Sequence, residues 1–408
     1  MQRRTQVVLG IGLALLLAVG GAMVVALVPR TPTLQATWTY QPPAGAGANA
    51  QAVAVGSAGG RTLVFAPENA PNGSSCRLVA LDAARGGAVW NRPVPAADCG
   101  PDGVAQPTVA EWQGRSAVLV AMGDRTLYAL DPASGSVRAR YDLTSPGATA
   151  PAAVSPTPGA PHTLVVVDAN GTAMRVDSNA TVAWRTALGS AVRVPPVVGD
   201  LLGTGGLETA VGTRDGRVVV LDRTGSATPL QTFDSPVTGL AAAQLDHDPA
   251  RELVVSTAGG RVAVLDAATG AVQWSRTFAG PTAVRAVADV TGDGTPEVFV
   301  ATGAGEVRAL KGDTGQPEWA RKVVTGQAVR LPPPVLGDVT GDEQAELVVA
   351  SPDGRVAVLN PATGTTLASY RRAGTIATAP TLADVDGDGR AELLVTYADG
   401  TVVRLDYQ

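Results

Sequence analysis

A Leu-Asp pair, or a near variant of it, returns eight times along the chain, and no other feature constrains the fold as tightly. It stands at Leu81-Asp82, Leu130-Asp131, Val176-Asp177, Leu221-Asp222, Leu265-Asp266, Leu310-Lys311, Leu359-Asn360 and Leu405-Asp406. Successive pairs are 49, 46, 45, 44, 45, 49 and 46 residues apart. A period in the mid-forties with several strands per repeat is the signature of a propeller blade. The 48 Gly and 30 Pro among 408 residues point the same way, because both penalise helix interiors. An apolar share of 45% argues against a disordered chain.

The fifth repeat shows the unit most clearly. Residues 239–245 are small and apolar, suited to a crowded central channel. Residues 252–257 carry the run Leu253, Val254, Val255, as expected of a strand buried on both faces. Gly259 and Gly260 then make a tight turn, and residues 261–266 alternate. Residues 271–277 bring Trp274 to an outermost strand, which makes four antiparallel strands. The turn between the second and third strands recurs as Asn170-Gly171, Asp215-Gly216, Asp353-Gly354 and Asp399-Gly400. These pairs predict type I′ hairpins with two positive-φ positions.

The last repeat stops at Gln408, before its fourth strand. Leu34 to Tyr40 has the outer-strand pattern, with Trp38 where Trp90, Trp184, Trp274 and Trp319 fall. The pattern therefore predicts an eight-bladed, all-β propeller over 34–408, its ring closed by the strand 34–41. Closure removes the sheet edges that invite aggregation.

Ahead of the repeats, Arg3 and Arg4 in the n-region 1–6 precede an uncharged apolar run, 7–28. At 22 residues it is long enough to cross a bilayer core as a helix. Secretory signals usually have shorter apolar cores, so an uncleaved transmembrane anchor is favoured, although Gly20 and Ala22 could serve a cleavage site. The cationic flank predicts an inside N-terminus and an extracytoplasmic propeller. The Pro-rich linker 29–33 spans at most about 17 Å and would hold that propeller close to the membrane.

Composition removes several functions. A net charge of −5 without a basic block leaves no footprint for nucleic acid. Two His and two Cys are too few for most zinc sites and most Ser-His or Cys-His catalysts.

Residues 265–274, and with them 77–90 and 306–319, resemble pyrroloquinoline-quinone-type propeller repeats. Residues 384–392 resemble FG-GAP/VCBS loops. The first resemblance admits quinoprotein dehydrogenases, whose larger eight-bladed propellers carry adjacent cysteines and a catalytic Asp beside a calcium-bound cofactor. This chain has no adjacent cysteines and little sequence beyond its blades, so it reads as a non-catalytic member without the quinone. Another non-catalytic member of this kind is the propeller subunit of the outer-membrane β-barrel assembly machine, which scaffolds other proteins.

The acidic loops suggest Ca²⁺. Asp384, Asp386 and Asp388 alternate ahead of Gly389, and Glu392 follows. Such alternating oxygens suit a hard cation, and the FG-GAP resemblance adds the backbone carbonyl of Arg390. A weaker copy is Asp289, Asp293 and Glu297, and one weaker still is Asp338, Asp342 and Glu346. The loops at Asp200 and at Asp246 and Asp248 read as structural. The competing reading of every loop is that its carboxylates cap backbone N–H groups. Cys76 and Cys99 flank the outer hairpin of the first blade, so an exported domain would pair them; two buried thiols are the alternative. Arg193, Arg285 and Arg330 fall near inner strands and form a candidate anion-binding rim, against a reading as solvated loop charges or ion pairs.

The sequence thus predicts a membrane-anchored, non-enzymatic scaffold docking other membrane or envelope proteins. The alternatives are a quinoprotein-like redox enzyme and a calcium-dependent adhesin or glycan receptor.

Overall fold

The computed structural model describes residues 32–43, 51–70, 75–99, 103–155, 160–324 and 329–408. The apolar run 7–28, expected to span a membrane, lies outside the described residues. Among the described residues no helix is long and apolar enough to cross a membrane. They form eight antiparallel sheets of four strands each, which makes an all-β, eight-bladed propeller.

Each blade follows one plan. In the fifth, Val237–Ala243 is innermost, followed outward by Glu252–Thr257, Arg261–Asp266 and Val272–Thr277. Every residue of Glu252–Thr257 is buried. Its period of two explains why the run is apolar without a break. Leu253 and Val255 pack into a cluster with Ala210 and Val218 of the fourth blade. Val254 packs on the other side with Val298 and Val300 of the sixth. A strand between two blades has no wet face, so its sequence loses the polar half of the alternation.

The Leu-Asp signal has a local cause. The Leu is buried, and the carboxylate folds the turn that follows it. Asp82 accepts the N–H groups of Ala84 and Arg85 at 3.1 and 3.0 Å. Asp131 does the same for Ala133 and Ser134, and Asp222 for Thr224 and Ser226. This is the Asx turn that Asp and Asn favour.

The turns between second and third strands differ from the type I′ expectation. In the four Asn-Gly and Asp-Gly pairs only the Gly has positive φ: Gly171 at 83°, Gly216 at 89°, Gly354 at 82° and Gly400 at 81°. The Gly216 N–H bonds the carbonyl of Thr213, and the Thr213 N–H bonds that of Arg217. This is the hairpin built on a type I turn with one left-handed residue after it. The Asn or Asp stays right-handed because a single Gly already reverses the chain.

The strand Leu34–Tyr40 pairs antiparallel with Val402–Tyr407 and is the outermost strand of the eighth sheet. It also reaches the first blade. Trp38 Nε1 donates to the Ala83 carbonyl at 2.8 Å, and the Tyr40 hydroxyl donates to Glu68 at 2.6 Å. Four more outer-strand tryptophans repeat the first contact. Trp90 bonds the carbonyl of Pro132, Trp184 that of Arg223, Trp274 that of Gly312 and Trp319 that of Pro361, all in the following blade. Each indole lies against a left-handed glycine of that blade; a Cβ on Gly86 would stand 2.7 Å from the Trp38 ring. Replacing Trp38 with Ala should therefore cost about 3–5 kcal/mol, the range for emptying a large aromatic site. Gly86→Ala should also destabilise, through φ and overlap together. Denaturant unfolding of the two variants against the parent checks both, and an unchanged midpoint for Trp38→Ala would show that the ring does not depend on its closing strand.

Candidate functional site

Alternating strand directions sort the connections onto two faces. Connections between first and second strands, and between third and fourth, share one face. Connections between second and third strands, and between blades, share the other. The acidic loops all belong to the first face.

Five of these loops have one construction. The Glu that opens the second strand is buried and turns back to the loop. Glu208 accepts the N–H of Leu201 at 3.0 Å, Glu252 that of Leu245 at 2.5 Å and Glu297 that of Val290 at 2.9 Å. Glu346 accepts Val339 and Glu392 accepts Val385, both at 2.8 Å. In four loops the leading Asp caps two further N–H groups. Asp384 takes Gly387 and Gly389, Asp289 takes Gly292 and Gly294, Asp338 takes Gly341 and Glu343, and Asp200 takes Thr204 and Gly205. Capping thus occupies oxygens that the sequence also offers to a metal. The recurring Glu was the signal for this role, since it persists at Glu208 and Glu252 where the Asp pattern has decayed.

Three sets bring ligand oxygens within 4.8 Å of one another among the described residues: Asp384, Asp386 and Glu392; Asp289, Asp293 and Glu297; and Asp246, Asp248 and Glu252. The third is a loop that reads as structural in sequence. Its geometry is nonetheless equivalent, and the buried Oε1 of Glu252 has no hydrogen-bond partner. Burial, reinforced by Asp246 and Asp248, pushes the Glu252 carboxyl above its ordinary pKa. Asp388 and Arg390 stand outside the first set as ligands; Asp388 caps the Arg390 N–H at 2.8 Å.

The Asp384 loop, the strongest in sequence, already faces a cation. Arg404, 3% exposed, lies on the third strand of the same blade. Its guanidinium meets Asp386 at 2.6 Å, Asp406 at 2.8 Å and Glu392 at 3.8 Å. Burial alone would lower the pKa of Arg404, but its bonds to Asp406 and Asp386 outweigh that and raise it. Burial also pushes Glu392 up to about 7, against its bond to Val385 and the nearby Arg404.

The channel mouth on the second face has the opposite character. A cavity of about 590 Å³ is lined by Arg193, Arg214, Arg285 and Arg330. Arg193 and Arg330 lie in connections between blades, as their spacing implied. Arg285 lies on the innermost strand Thr282–Ala288. Arg214 belongs to a turn of the fourth blade, where sequence carried no sign of a channel position. Arg285 is open to water yet surrounded by channel walls, and this desolvation lowers its pKa. Cys76 and Cys99, at the edge of the first blade, are joined in a disulfide with Cα atoms 5.4 Å apart.

With this geometry in hand, comparison with known proteins places the chain. The family model of the outer membrane protein assembly factor BamB matches residues 109–236, 153–325 and 258–408. The chain belongs to the BamB family. BamB from Moraxella catarrhalis shares 18% identity with it at a TM-score of 0.62, covering 92% of this chain and 98% of that one. The computationally designed Ika8 protein gives 17% identity and a TM-score of 0.62, over 88% and 98%. Quinohemoprotein alcohol dehydrogenase from Comamonas testosteroni gives 15% and 0.58, over 91% and 76%. A search of curated sequences returns no match. At these identities the structural likenesses speak for the fold alone.

The repeat resemblance seen in sequence admits a quinone cofactor, and the residues lining the channel do not fit one. Among the described residues the two channel cavities present no carboxylate to hold calcium and no aromatic ring to stack on a quinone. The cysteines are bonded to each other 23 positions apart, not adjacent.

Arg404 offers a direct test of how the acidic loop is held. Arg404→Met leaves Asp386, Glu392 and Asp406 without their cation. Breaking a buried ion pair from one side costs about 3–5 kcal/mol. Thermal unfolding at neutral pH should show the loss, and Asp386→Asn in the same background should return part of it.

Proposed function

We propose that this chain is a non-enzymatic scaffold subunit of an envelope protein-assembly complex. In this reading the segment 7–28 anchors the propeller in a membrane and places it on the extracytoplasmic side. Membership of the BamB family over residues 109–408 carries the proposal. A rigid ring suits the role, because loops held by a closed scaffold present fixed docking surfaces. The misfit of the channel to a quinone weighs against the redox alternative that the dehydrogenase neighbours raise. The test is purification of the full-length protein from gently solubilised membranes, with co-purifying proteins identified by mass spectrometry. A defined stoichiometric set containing an outer-membrane β-barrel protein or its assembly factors is expected. A lone propeller carrying a chromophore would overturn the reading in favour of the enzyme.

Calcium belongs to this proposal as a structural ligand of the first face. The loops at Asp289 and Asp384 are candidates from their sequence. The loop at Asp246 is a stronger one from its geometry, because Glu252 Oε1 is buried without a partner. A cation at the Asp384 loop would have to share Asp386 with Arg404. Binding at a hundred times Kd stabilises by about 2.7 kcal/mol. Millimolar Ca²⁺ should therefore raise the thermal midpoint above its value in EDTA by several degrees, and Glu252→Gln should remove the largest share. Equal midpoints in Ca²⁺ and EDTA would sink the calcium reading while leaving the scaffold untouched.

A further inference from the structure

The acidic loops of the last four blades each give one Glu oxygen to an N–H seven residues ahead, and they differ in what meets the other oxygen. The residue six positions ahead of the Glu decides it. In the sixth and seventh blades it is a threonine: the Thr291 hydroxyl donates to Glu297 Oε1 at 3.3 Å, and that of Thr340 to Glu346 Oε1 at 3.2 Å. In the eighth blade it is Asp386, and a built-in cation answers the two carboxylates. Arg404 meets Asp386 at 2.6 Å and Glu392 Oε1 at 3.8 Å. In the fifth blade it is Asp246, which as a carboxylate has no proton to give Glu252. Here the strand position of Arg404 holds Val264: Arg404 lies opposite Leu394, and Val264 opposite Val254, each just ahead of its Leu-Asp pair. Among the described residues no basic side chain forms an ion pair with Asp246, Asp248 or Glu252. Glu252 is 0% exposed, and its Oε1 has no hydrogen-bond partner.

We infer that the fifth-blade loop is a site for one hard divalent cation of the Ca²⁺ type, held by Asp246, Asp248 and Glu252. The ion does there what Arg404 does in the eighth blade and a threonine hydroxyl does in the sixth and seventh. A buried oxygen without a partner carries its desolvation cost uncompensated, and a bound cation removes that cost. Ligand oxygens of the three residues lie within 4.8 Å of one another. Oxygens bound to one Ca²⁺ at about 2.4 Å fall within such a span. All three donors are carboxylates, which suit a hard cation and offer no sulfur or nitrogen to a softer one. Glu252 is buried while Asp246 and Asp248 are exposed, so the blade fixes one side of the site and water reaches the other. The inference rests on the calcium part of the proposed function, which it deepens by assigning the ion to one loop; the scaffold part does not enter.

Calorimetric titration of the metal-free, full-length protein with Ca²⁺ tests it, with thermal unfolding in EDTA alongside. The parent should bind Ca²⁺ saturably. Asp248→Asn, at an exposed position, should weaken that binding by at least about ten-fold, the lower end of what losing even an outer-shell partner costs a metal site. Asp246→Thr copies the sixth blade and carries the distinguishing signature. Ca²⁺ binding should fall, yet the midpoint in EDTA should rise above the parent's, because a hydroxyl then meets Glu252. A lower midpoint in EDTA for Asp246→Thr, with Ca²⁺ binding unchanged, would show that the acids serve only to fold the loop and overturns the site. Ca²⁺ binding that survives both substitutions but falls with Asp289→Asn or Asp384→Asn overturns the assignment to this loop and leaves calcium on the first face. No Ca²⁺ binding by the parent overturns both.

Discussion

The ring rests on a contact between an indole and a glycine. An outer-strand tryptophan leans across to the next blade, gives its N–H to a turn carbonyl and lays its ring on a left-handed glycine. The indole and the glycine are fitted to one another. A side chain at the glycine would meet the ring at less than 3 Å, and positive φ disfavours that side chain in any case. A smaller residue in place of tryptophan leaves a void and a turn carbonyl without its donor. One interface lacks both halves, while at another Gly270 faces the backbone of Leu230 with no indole. The second blade carries Ala139 where tryptophan would stand, and the turn facing it in the third blade carries Ala180, at φ 67°, in place of glycine. Both halves of the contact are missing together.

Closure turns these pairwise contacts into a constraint on the whole molecule. In an open array the end blades would each expose one apolar face. Here the eighth sheet takes its outermost strand from the start of the repeat region. Trp38 in that strand makes the same indole contact to the first blade that Trp274 makes to the sixth. Thr381 on the innermost strand adds a bond of 2.7 Å to the Val53 carbonyl. The last interface is therefore built like the four others that carry an outer-strand tryptophan.

What the sequence made legible follows from how local each cause is. The Leu-Asp pairs, the outer tryptophans and the buried second strands act within one repeat or on the next, so their spacing alone carried the architecture. The hairpin type was misjudged because Asn-Gly and Asp-Gly suit more than one turn, and the choice depends on how many residues join the strands. The acidic loops show the same limit at longer range. Asp386 looks like a ligand in its own loop, yet Arg404, 18 positions away on another strand, pairs with it. Glu252 looks like one charged residue among several, yet its depth leaves one oxygen without a partner. Arg214 gave no signal at all, because its place at the channel depends on the ring having closed.

The two faces then divide the charged residues by use. On the first face carboxylates fold the loops: they cap N–H groups and hold a buried arginine, so much of their charge is committed to structure. On the second face Arg193, Arg214, Arg285 and Arg330 line one channel cavity. The walls around them come from small and aliphatic residues of the inner strands, whose packing does not require a positive charge in the channel. Charge that the scaffold needs is paired within the scaffold. On the second face charge gathers instead around one cavity at the centre of the ring.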